Sequence, residues 1–175
     1  VERTNKGGGE HQGGVVLLGP DNNLYLAIGD VNQYGQTQNI ADGRKPNGTG
    51  GILRVTQDGK PAGNGILGDT FPLNLYYAYG IRNSFGMDFD PVTSKLWDTE
   101  NGLNCCDEIN LVEPGFNSGW IKVQGIVELN QTDRLKQLGI LNETSENEKL
   151  VTFGGKGIYS APEYIWFYTV GPSQI

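Results

Sequence analysis

The chain has 175 residues, a formal net charge of −7 and a sequence pI of about 4.6. An acidic surface disfavours non-specific binding to nucleic acids, and the sequence has no run of about eighteen apolar residues that could span a membrane. Hydrophobic residues make up 37% and glycine occupies 27 positions, a composition that favours short strands and tight turns over long helices.

The first third of the chain predicts three short strands. Apolar residues at 15–18 and 24–28 are separated by the turn sequence GPDNN at 19–23, and residues 52–55 form a further apolar run before a Gln-Asp-Gly turn. Residues 31–50 lack apolar periodicity and are rich in Asn, Gln and Gly. We predict a long loop there, and loops of that length in compact domains often carry function.

The same pattern returns further along the chain. Residues 86–91 and 95–97 repeat the first two strands with their turn, and residues 107–112, followed by Pro-Gly, repeat the third strand. A third unit is predicted to begin at residues 164–170. A repeated all-β unit with variable loops is typical of a propeller or a β-solenoid. The polar segment 128–150 interrupts this pattern and is predicted to be an insertion, either flexible or a short amphipathic helix.

The two cysteines of the chain, Cys105 and Cys106, are adjacent. Neighbouring Cα atoms are about 3.8 Å apart, which is shorter than the usual spacing across a disulfide. We therefore expect two reduced, partly buried thiols in a turn. A zinc site would need further ligands, and the chain has a single histidine.

Four segments carry the strongest functional signal, and they are HQGG at 11–14, YGIRNSFG at 79–86, DEINLV at 107–112 and GFNSGW at 115–120. In this order they resemble the soluble sugar dehydrogenases that use pyrroloquinoline quinone, the glucose/sorbosone dehydrogenase family. The resemblance implies an all-β fold of the six-bladed β-propeller type. It also implies that residues 1–175 are an incomplete portion of roughly two to three blades, truncated at both ends.

His11 is the first candidate for catalysis. A lone histidine is commonly a structural or surface residue. In the family, however, the histidine of the His-x-Gly-Gly segment is the general base, and an imidazole suits the removal of a hydroxyl proton while hydride leaves the anomeric carbon. The flanking Gly13 and Gly14 would let the backbone approach the cofactor closely.

Arg82 and Asn83 lie in an aromatic neighbourhood, where a cation needs a partner. From the residues alone, Arg82 either forms an internal salt bridge or points at a quinone oxygen and stabilises negative charge there. The resemblance to the family's Gly-x-Arg-Asn segment implies the second role, with Asn83 as an amide contact to the cofactor. Gln36 or Gln38 could supply a further amide from the long loop, and we assign Gln38 to the cofactor.

The resemblance also implies a calcium ion that positions the quinone and is bound by the backbone carbonyls of Gly102 and Leu103. The family usually has proline at the position of Leu103 and small residues at the position of the cysteine pair, so the chain departs from the family in this loop. Asp30, at a strand end, is either a turn-capping residue or an acceptor for a sugar hydroxyl, and we assign it to the substrate.

Taken together, the resemblance implies a quinoprotein oxidoreductase that oxidises an aldose at its anomeric CH–OH group, with hydride transfer to pyrroloquinoline quinone. Its partners would be a sugar and an electron acceptor, and it would act outside the cytoplasm with a leader sequence that is not in this chain. The fragment alone is expected to be inactive, because the family takes further cofactor ligands from later blades. The alternative is a non-catalytic propeller that binds a protein or a glycan. Three polar residues are assigned to structural contacts: Asp107, Glu108 and Asn110.

Overall fold

The computed structural model describes residues 10–125 and 150–175. This described part contains two short 3-10 turns, Gln36–Gln38 and Leu73–Leu75, and no helix that could cross a membrane. The strands are β1 Val16–Leu18, β2 Leu24–Ile28, β3 Gly51–Val55, β4 Tyr76–Tyr79, β5 Ser84–Phe89, β6 Leu96–Glu100, β7 Asp107–Val112, β8 Phe116–Asn117, β9 Ile158–Tyr159 and β10 Tyr164–Trp166. The all-β prediction is confirmed, and the first three predicted strands match β1, β2 and β3 to within one residue at each end.

The first sheet joins six strands in the order β1-β2-β3-β4-β8-β9. Its first four strands are antiparallel neighbours, whereas β8 runs parallel to β4 and β9 runs parallel to β8. The predicted turn closes the β1–β2 hairpin, with Asn22 in the left-handed region at a φ of 65°. Since Ile28 pairs with Gly51, the long loop 31–50 leaves and re-enters the sheet at the same end.

The second sheet contains four antiparallel strands in the order β10-β7-β6-β5. The prediction that residues 164–170 open a third unit is wrong, because Tyr164 pairs with Ile109 and β10 completes the second sheet. This pairing satisfies backbone groups of β7 that would otherwise form an open edge. The predicted insertion at 128–150 lies outside the described residues apart from Leu150.

The two sheets share one hydrophobic core. Ile52 and Ala78 of the first sheet are fully buried, and they belong to the same cluster as Leu96 of the second sheet. The rings of Tyr25 and Phe89 pack edge to face across the two sheets with their centroids 5.0 Å apart. This shared packing fixes the ends of strands from both sheets close to one another.

The expectation of two free thiols is wrong, because Cys105 and Cys106 form a disulfide. Cys106 adopts a left-handed φ of 69°, and this turn conformation lets the two sulfur atoms meet although the Cα atoms are only 3.7 Å apart. Both cysteines are buried, and they pack against Phe167. The bonded pair therefore forms a compact buried turn immediately before β7.

Candidate functional site

Three segments that are distant in sequence meet at the end of β2. The backbone N–H of Asp30 donates to the carbonyl of Arg82 at 2.9 Å, and the N–H of Val31 donates to the carbonyl of His11 at 3.3 Å. Gly29 permits this convergence, since a Cβ there would overlap the carbonyl oxygens of both His11 and Arg82. Three of the residues predicted to form the site thus lie at one location.

His11 and Asp30 form a hydrogen-bonded pair. Nδ1 of His11 lies 2.7 Å from Oδ1 of Asp30, and their side chains are only 14% and 4% exposed. Because a carboxylate accepts hydrogen bonds and does not donate them, this contact places a proton on Nδ1 and leaves Nε2 of the neutral ring as an acceptor. An imidazole oriented in this way by a carboxylate has the arrangement of a general base.

The backbone around this pair is strained. His11 and Val31 both have a φ of 53°, and Asn32 has a φ of 54°. Residues other than glycine rarely adopt this left-handed conformation, and a β-branched residue such as Val31 is a clear outlier. Strain of this kind persists where surrounding contacts enforce it, and it is concentrated at functional sites.

Sequence reasoning missed Trp120. Its indole Nε1–H donates to Oδ2 of Asp30 at 2.7 Å, and the guanidinium of Arg82 lies over its ring, 5.4 Å from the centroid. The backbone N–H of Trp120 donates to the carbonyl of Gly80 at 3.0 Å, and its carbonyl accepts from Nδ2 of Asn39 at 2.8 Å. The sequence did contain a signal, since Trp120 ends the GFNSGW segment. A tryptophan that is buried needs an acceptor for its N–H.

Arg82 is 8% exposed, and its guanidinium is incompletely satisfied. Nη1 donates to the carbonyl oxygens of Asn101 at 2.9 Å and Gly102 at 3.1 Å, while Nε is buried without a partner. Burial lowers the pKa of the guanidinium from its ordinary value, and the negative charges of Asp30 and Glu100 oppose that effect. The hydrogen bonds of the side chain thus reach backbone carbonyls rather than the carboxylate that an internal salt bridge would require.

The loop predicted to bind calcium lies directly against Arg82. The N–H of Gly102 donates to Oδ1 of Asp107 at 2.8 Å, and the N–H of Leu103 donates to Oε1 of Gln124 at 3.1 Å. Within the described residues no group of three or more His, Cys, Asp or Glu side chains is arranged to hold a metal, and the assignment of Gly102 and Leu103 as calcium ligands stays a prediction. A small cleft beside the loop is lined by residues that include Arg82, Glu100, Gly102, Cys106, Trp120 and Gln124.

Two buried glutamates lie directly behind the site. Glu100 of β6 and Glu108 of β7 are cross-strand neighbours. Oε1 of Glu100 accepts from the N–H of Arg82 at 2.5 Å, and its Oε2 accepts from the hydroxyl of Ser118 at 2.6 Å. Burial and the nearby charge of Glu108 raise the pKa of Glu100 well above its ordinary value, and burial raises the pKa of Glu108 to about 7. Glu100, which the sequence did not single out, therefore contacts the backbone of a predicted cofactor residue.

Gln38 is used within its own loop. Its Oε1 accepts from the N–H of Gly35 at 2.7 Å, so its buried side chain closes the 3-10 turn in which it lies. Its carbonyl accepts from the N–H of Ile121 at 2.9 Å, next to Trp120. The backbone of Gln38 thus contacts Ile121 beside the site, while its amide oxygen stabilises the long loop.

A comparison with known protein families matches residues 1–171 to the model described as Glucose / Sorbosone dehydrogenase. Quinoprotein glucose dehydrogenase B of Acinetobacter calcoaceticus is 35% identical over 135 residues, which cover 66% of this chain and 27% of that protein. The chain therefore spans less than a third of the length of this relative.

Solved structures give the same result. The pyrroloquinoline quinone-bound form of aldose sugar dehydrogenase from Streptomyces coelicolor has a TM-score of 0.59 and 30% identity, covering 90% of this chain and 36% of that one. A putative oxidoreductase (glucose dehydrogenase) from Thermus thermophilus has a TM-score of 0.63 and 32% identity, covering 90% and 38%. The four antiparallel strands β1 to β4 of the first sheet and the four strands of the second sheet are thus blades of a β-propeller. With the family model matched along almost the whole length, this chain belongs to the glucose/sorbosone dehydrogenase family.

Proposed function

We propose that this chain supplies the base and the arginine of a quinoprotein oxidoreductase that oxidises an aldose at its anomeric CH–OH group. The observation that carries the proposal is the continuous set of contacts from His11 through Asp30 and Trp120 to Arg82. These contacts combine an oriented imidazole with a buried guanidinium whose Nε–H has no hydrogen-bond partner. This argument depends on the site, since the fold alone would not support an activity.

His11 is the general base in this proposal. The Nδ1–H of His11 donates a hydrogen bond to Asp30, which leaves Nε2 to take the proton of the anomeric hydroxyl as hydride leaves the carbon. The positive charge that develops on the imidazole is stabilised by the Asp30 carboxylate. Both oxygens of Asp30 are already engaged, by His11, Asn32 and Trp120, so we give it this orienting role in place of direct contact with the sugar.

Pyrroloquinoline quinone fits the polar groups that the fold leaves incomplete. Nε of Arg82 and Oδ1 of Asn83 are buried without partners, as expected where a bound group completes the hydrogen bonding. Arg82 and Asn83 would hold this cofactor, with Arg82 stabilising negative charge at a quinone oxygen. When bound, the quinone supplies the acceptor for the hydride. We assign Gln38 to the support of the loop rather than to the cofactor, because its amide oxygen already accepts from Gly35.

Calcium fits the backbone carbonyls of Gly102 and Leu103 by their chemistry, because calcium takes oxygen ligands and accepts carbonyls readily. The Gly102 carbonyl accepts one hydrogen bond from Arg82, and a carbonyl oxygen has two lone pairs. An ion bound there would share this oxygen with the guanidinium and lie close to the groups that hold the cofactor.

We further propose that the enzyme acts outside the cytoplasm and passes its electrons to a separate acceptor. The disulfide between Cys105 and Cys106 supports this location, because disulfides persist in oxidising compartments and are rare in the cytosol.

The test is sugar-dependent dye reduction by the full-length protein that contains this chain, supplied with calcium and pyrroloquinoline quinone and a panel of aldoses. We expect His11→Ala to lower kcat by about 10²- to 10⁴-fold, the usual contribution of a general base. Arg82→Lys should also lower the rate, because an ammonium group does not reproduce the planar fork of a guanidinium. Lys60→Ala is the control, since the exposed side chain of Lys60 forms its described ion pair with Asp58 in a turn after β3.

Unchanged activity in His11→Ala would remove His11 from the mechanism while keeping the enzyme. The absence of both activity with any aldose and binding of the quinone would overturn the proposal as a whole and favour the non-catalytic propeller.

A further inference from the structure

We infer that Trp120 is a positioning residue that holds the His11–Asp30 pair and Arg82 in one fixed arrangement. The catalytic meaning of this inference rests on the proposed function, whereas the arrangement itself is a property of the fold. No motif role was assigned to Trp120 from the sequence, and its contacts with Asp30 and Arg82 emerge only from the folded chain.

The indole N–H fixes the plane of the Asp30 carboxylate. The torsion that rotates a carboxylate about its terminal bond is broad and weakly restricted. Oδ1 of Asp30 accepts from His11 and from the N–H of Asn32, and Oδ2 accepts from Nε1 of Trp120 at 2.7 Å. With donors on both oxygens the carboxylate has one orientation, and that orientation determines which way the His11 ring is held.

The indole ring fixes the guanidinium of Arg82. The guanidinium carbon lies 5.4 Å from the ring centroid, within the range of a cation–π contact. Nη1 reaches the carbonyls of Asn101 and Gly102, so the guanidinium is held at one end by hydrogen bonds and across its face by the ring. The unpartnered Nε then points in a direction that Trp120 helps to determine.

Trp120 can do this because its own backbone is fixed. Its N–H donates to Gly80 and its carbonyl accepts from Nδ2 of Asn39. Asn39 and Asn117 pair their amides reciprocally at 2.9 and 2.8 Å, and a Cβ on Gly80 would overlap Oδ1 of Asn117. The indole therefore projects from a rigid junction between the long loop, β4 and β8. Trp120 therefore restricts the movement of both His11, through Asp30, and Arg82.

The first experiment measures His11 directly. His11 is the single histidine of the 175-residue chain, so labelling with ¹⁵N-histidine reports that ring alone. We expect the unmodified chain to hold its proton on Nδ1, with a downfield proton resonance protected from exchange by the bond to Asp30. In Trp120→Phe, which keeps a ring under Arg82 but lacks the N–H, the Nδ1–H population should fall and the protected resonance should be lost.

The matched control is Trp97→Phe. Trp97 lies half-buried on β6, where it pairs with Asp88 of β5 and Leu111 of β7, so the same chemical change there should leave the His11 resonances unchanged. If Trp120→Phe does not fold, 3-benzothienylalanine at position 120 removes the same N–H with almost no change of volume. Retention of the protected His11 resonance in a folded variant without the N–H would overturn the inference.

The second experiment measures catalysis by the full-length protein that contains this chain. Loss of orientation should forfeit part of the 10²- to 10⁴-fold contribution of the base, so we expect kcat to fall by roughly tenfold in Trp120→Phe while KM for the sugar changes little. An unchanged kcat would contradict the inference and leave the proposed function standing. An inactive unmodified protein with the expected His11 signals would refute the proposed function and leave the arrangement intact.

Discussion

Two aspartates in the two sheets differ in their ionisation. Asp21, in the β1–β2 turn of the first sheet, is partly exposed and pairs with Arg54. Desolvation alone would raise its pKa, but hydrogen bonds from Asn23, Arg54 and Tyr25 outweigh it and lower the pKa of Asp21 to about 2. Asp98, on β6 of the second sheet, is completely buried, and desolvation raises its pKa to about 7.

The difference lies in the partners that each sheet provides. Asp98 accepts from the hydroxyl of Ser84, and no cation pairs with it among the described residues. Its Oδ2 and the Oδ1 of its cross-strand neighbour Asn110 are both acceptors without a partner. A proton on Oδ2 of Asp98 would make this buried atom a donor instead of an acceptor without a partner. The first sheet therefore keeps its aspartate ionised beside a cation, whereas the second sheet buries carboxyl groups that favour the neutral form.

The largest expected effect concerns the core that both sheets share. Ile52→Ala should lower the free energy of unfolding by about 2–5 kcal/mol, because Ile52 is fully buried between the two sheets and truncation leaves a cavity. Urea unfolding followed by tryptophan fluorescence measures this loss. Val92→Ala, in the turn between β5 and β6 where Val92 is 89% exposed, is the control and should change stability by less than about 0.5 kcal/mol. Two separate transitions would show that the sheets do not form one cooperative core.

The next effect comes from Asp98. Its pKa is about 7 in the folded chain and near its ordinary value of 3.8 in the unfolded chain, so the folded state binds more protons between these pH values. Stability should therefore fall as pH rises from about 4 to about 7, by at most about 1.4 kcal/mol per pH unit for this one group. Asp98→Asn removes the titrating group, so the variant should lose less stability across the same window. Urea midpoints measured between about pH 4 and about pH 8 provide the test.

Glu108, whose pKa is also raised to about 7, keeps part of this dependence in the variant. The control is Asp88→Asn on β5, since the side chain of Asp88 is exposed. An identical pH slope in Asp98→Asn and the unmodified chain would contradict the assignment of a neutral buried Asp98.

The first sheet should respond with the opposite sign and a smaller magnitude. Asp21 has a lowered pKa, so its pairing stabilises the chain above about pH 4 and the contribution is lost as pH falls towards 2. Since both partners are partly exposed, Arg54→Gln should cost less than about 1 kcal/mol at neutral pH. Thermal unfolding at about pH 7 and about pH 3 measures the effect, and a larger cost at the lower pH would refute this explanation.

The smallest expected effect on stability concerns the disulfide, which lies in the turn before β7. Reduction of the bond between Cys105 and Cys106 should change the free energy of unfolding by less than about 1 kcal/mol, because a bond between adjacent residues closes a very short loop and restricts the unfolded chain little. Thiol titration of the denatured, unreduced chain should find no free thiol. Two titratable thiols would restore the original expectation from the sequence.

Much of the architecture was readable from periodicity. Short apolar runs bounded by turn sequences predicted β1, β2 and β3 to within one residue, and the motif segments drew attention to His11 and Arg82. The sequence of β6 contains a further signal, because side chains alternate between the two faces of a strand. Leu96, Asp98 and Glu100 are two residues apart on one strand, so a core-facing Leu96 implies that both acidic side chains point inward as well.

The sequence by itself determined the all-β class, the family and the candidate base, because strand periodicity and short motifs are local properties of the chain. Only the tertiary structure decided that Asp30 orients His11, that Trp120 joins Asp30 to Arg82, and that β10 completes the second sheet. Each of these depends on contacts between residues tens of positions apart, such as the 90-residue separation of Asp30 and Trp120. Local patterns do not specify which distant segments meet. That is decided by the packing of the shared core and by the need of every buried polar group for a partner.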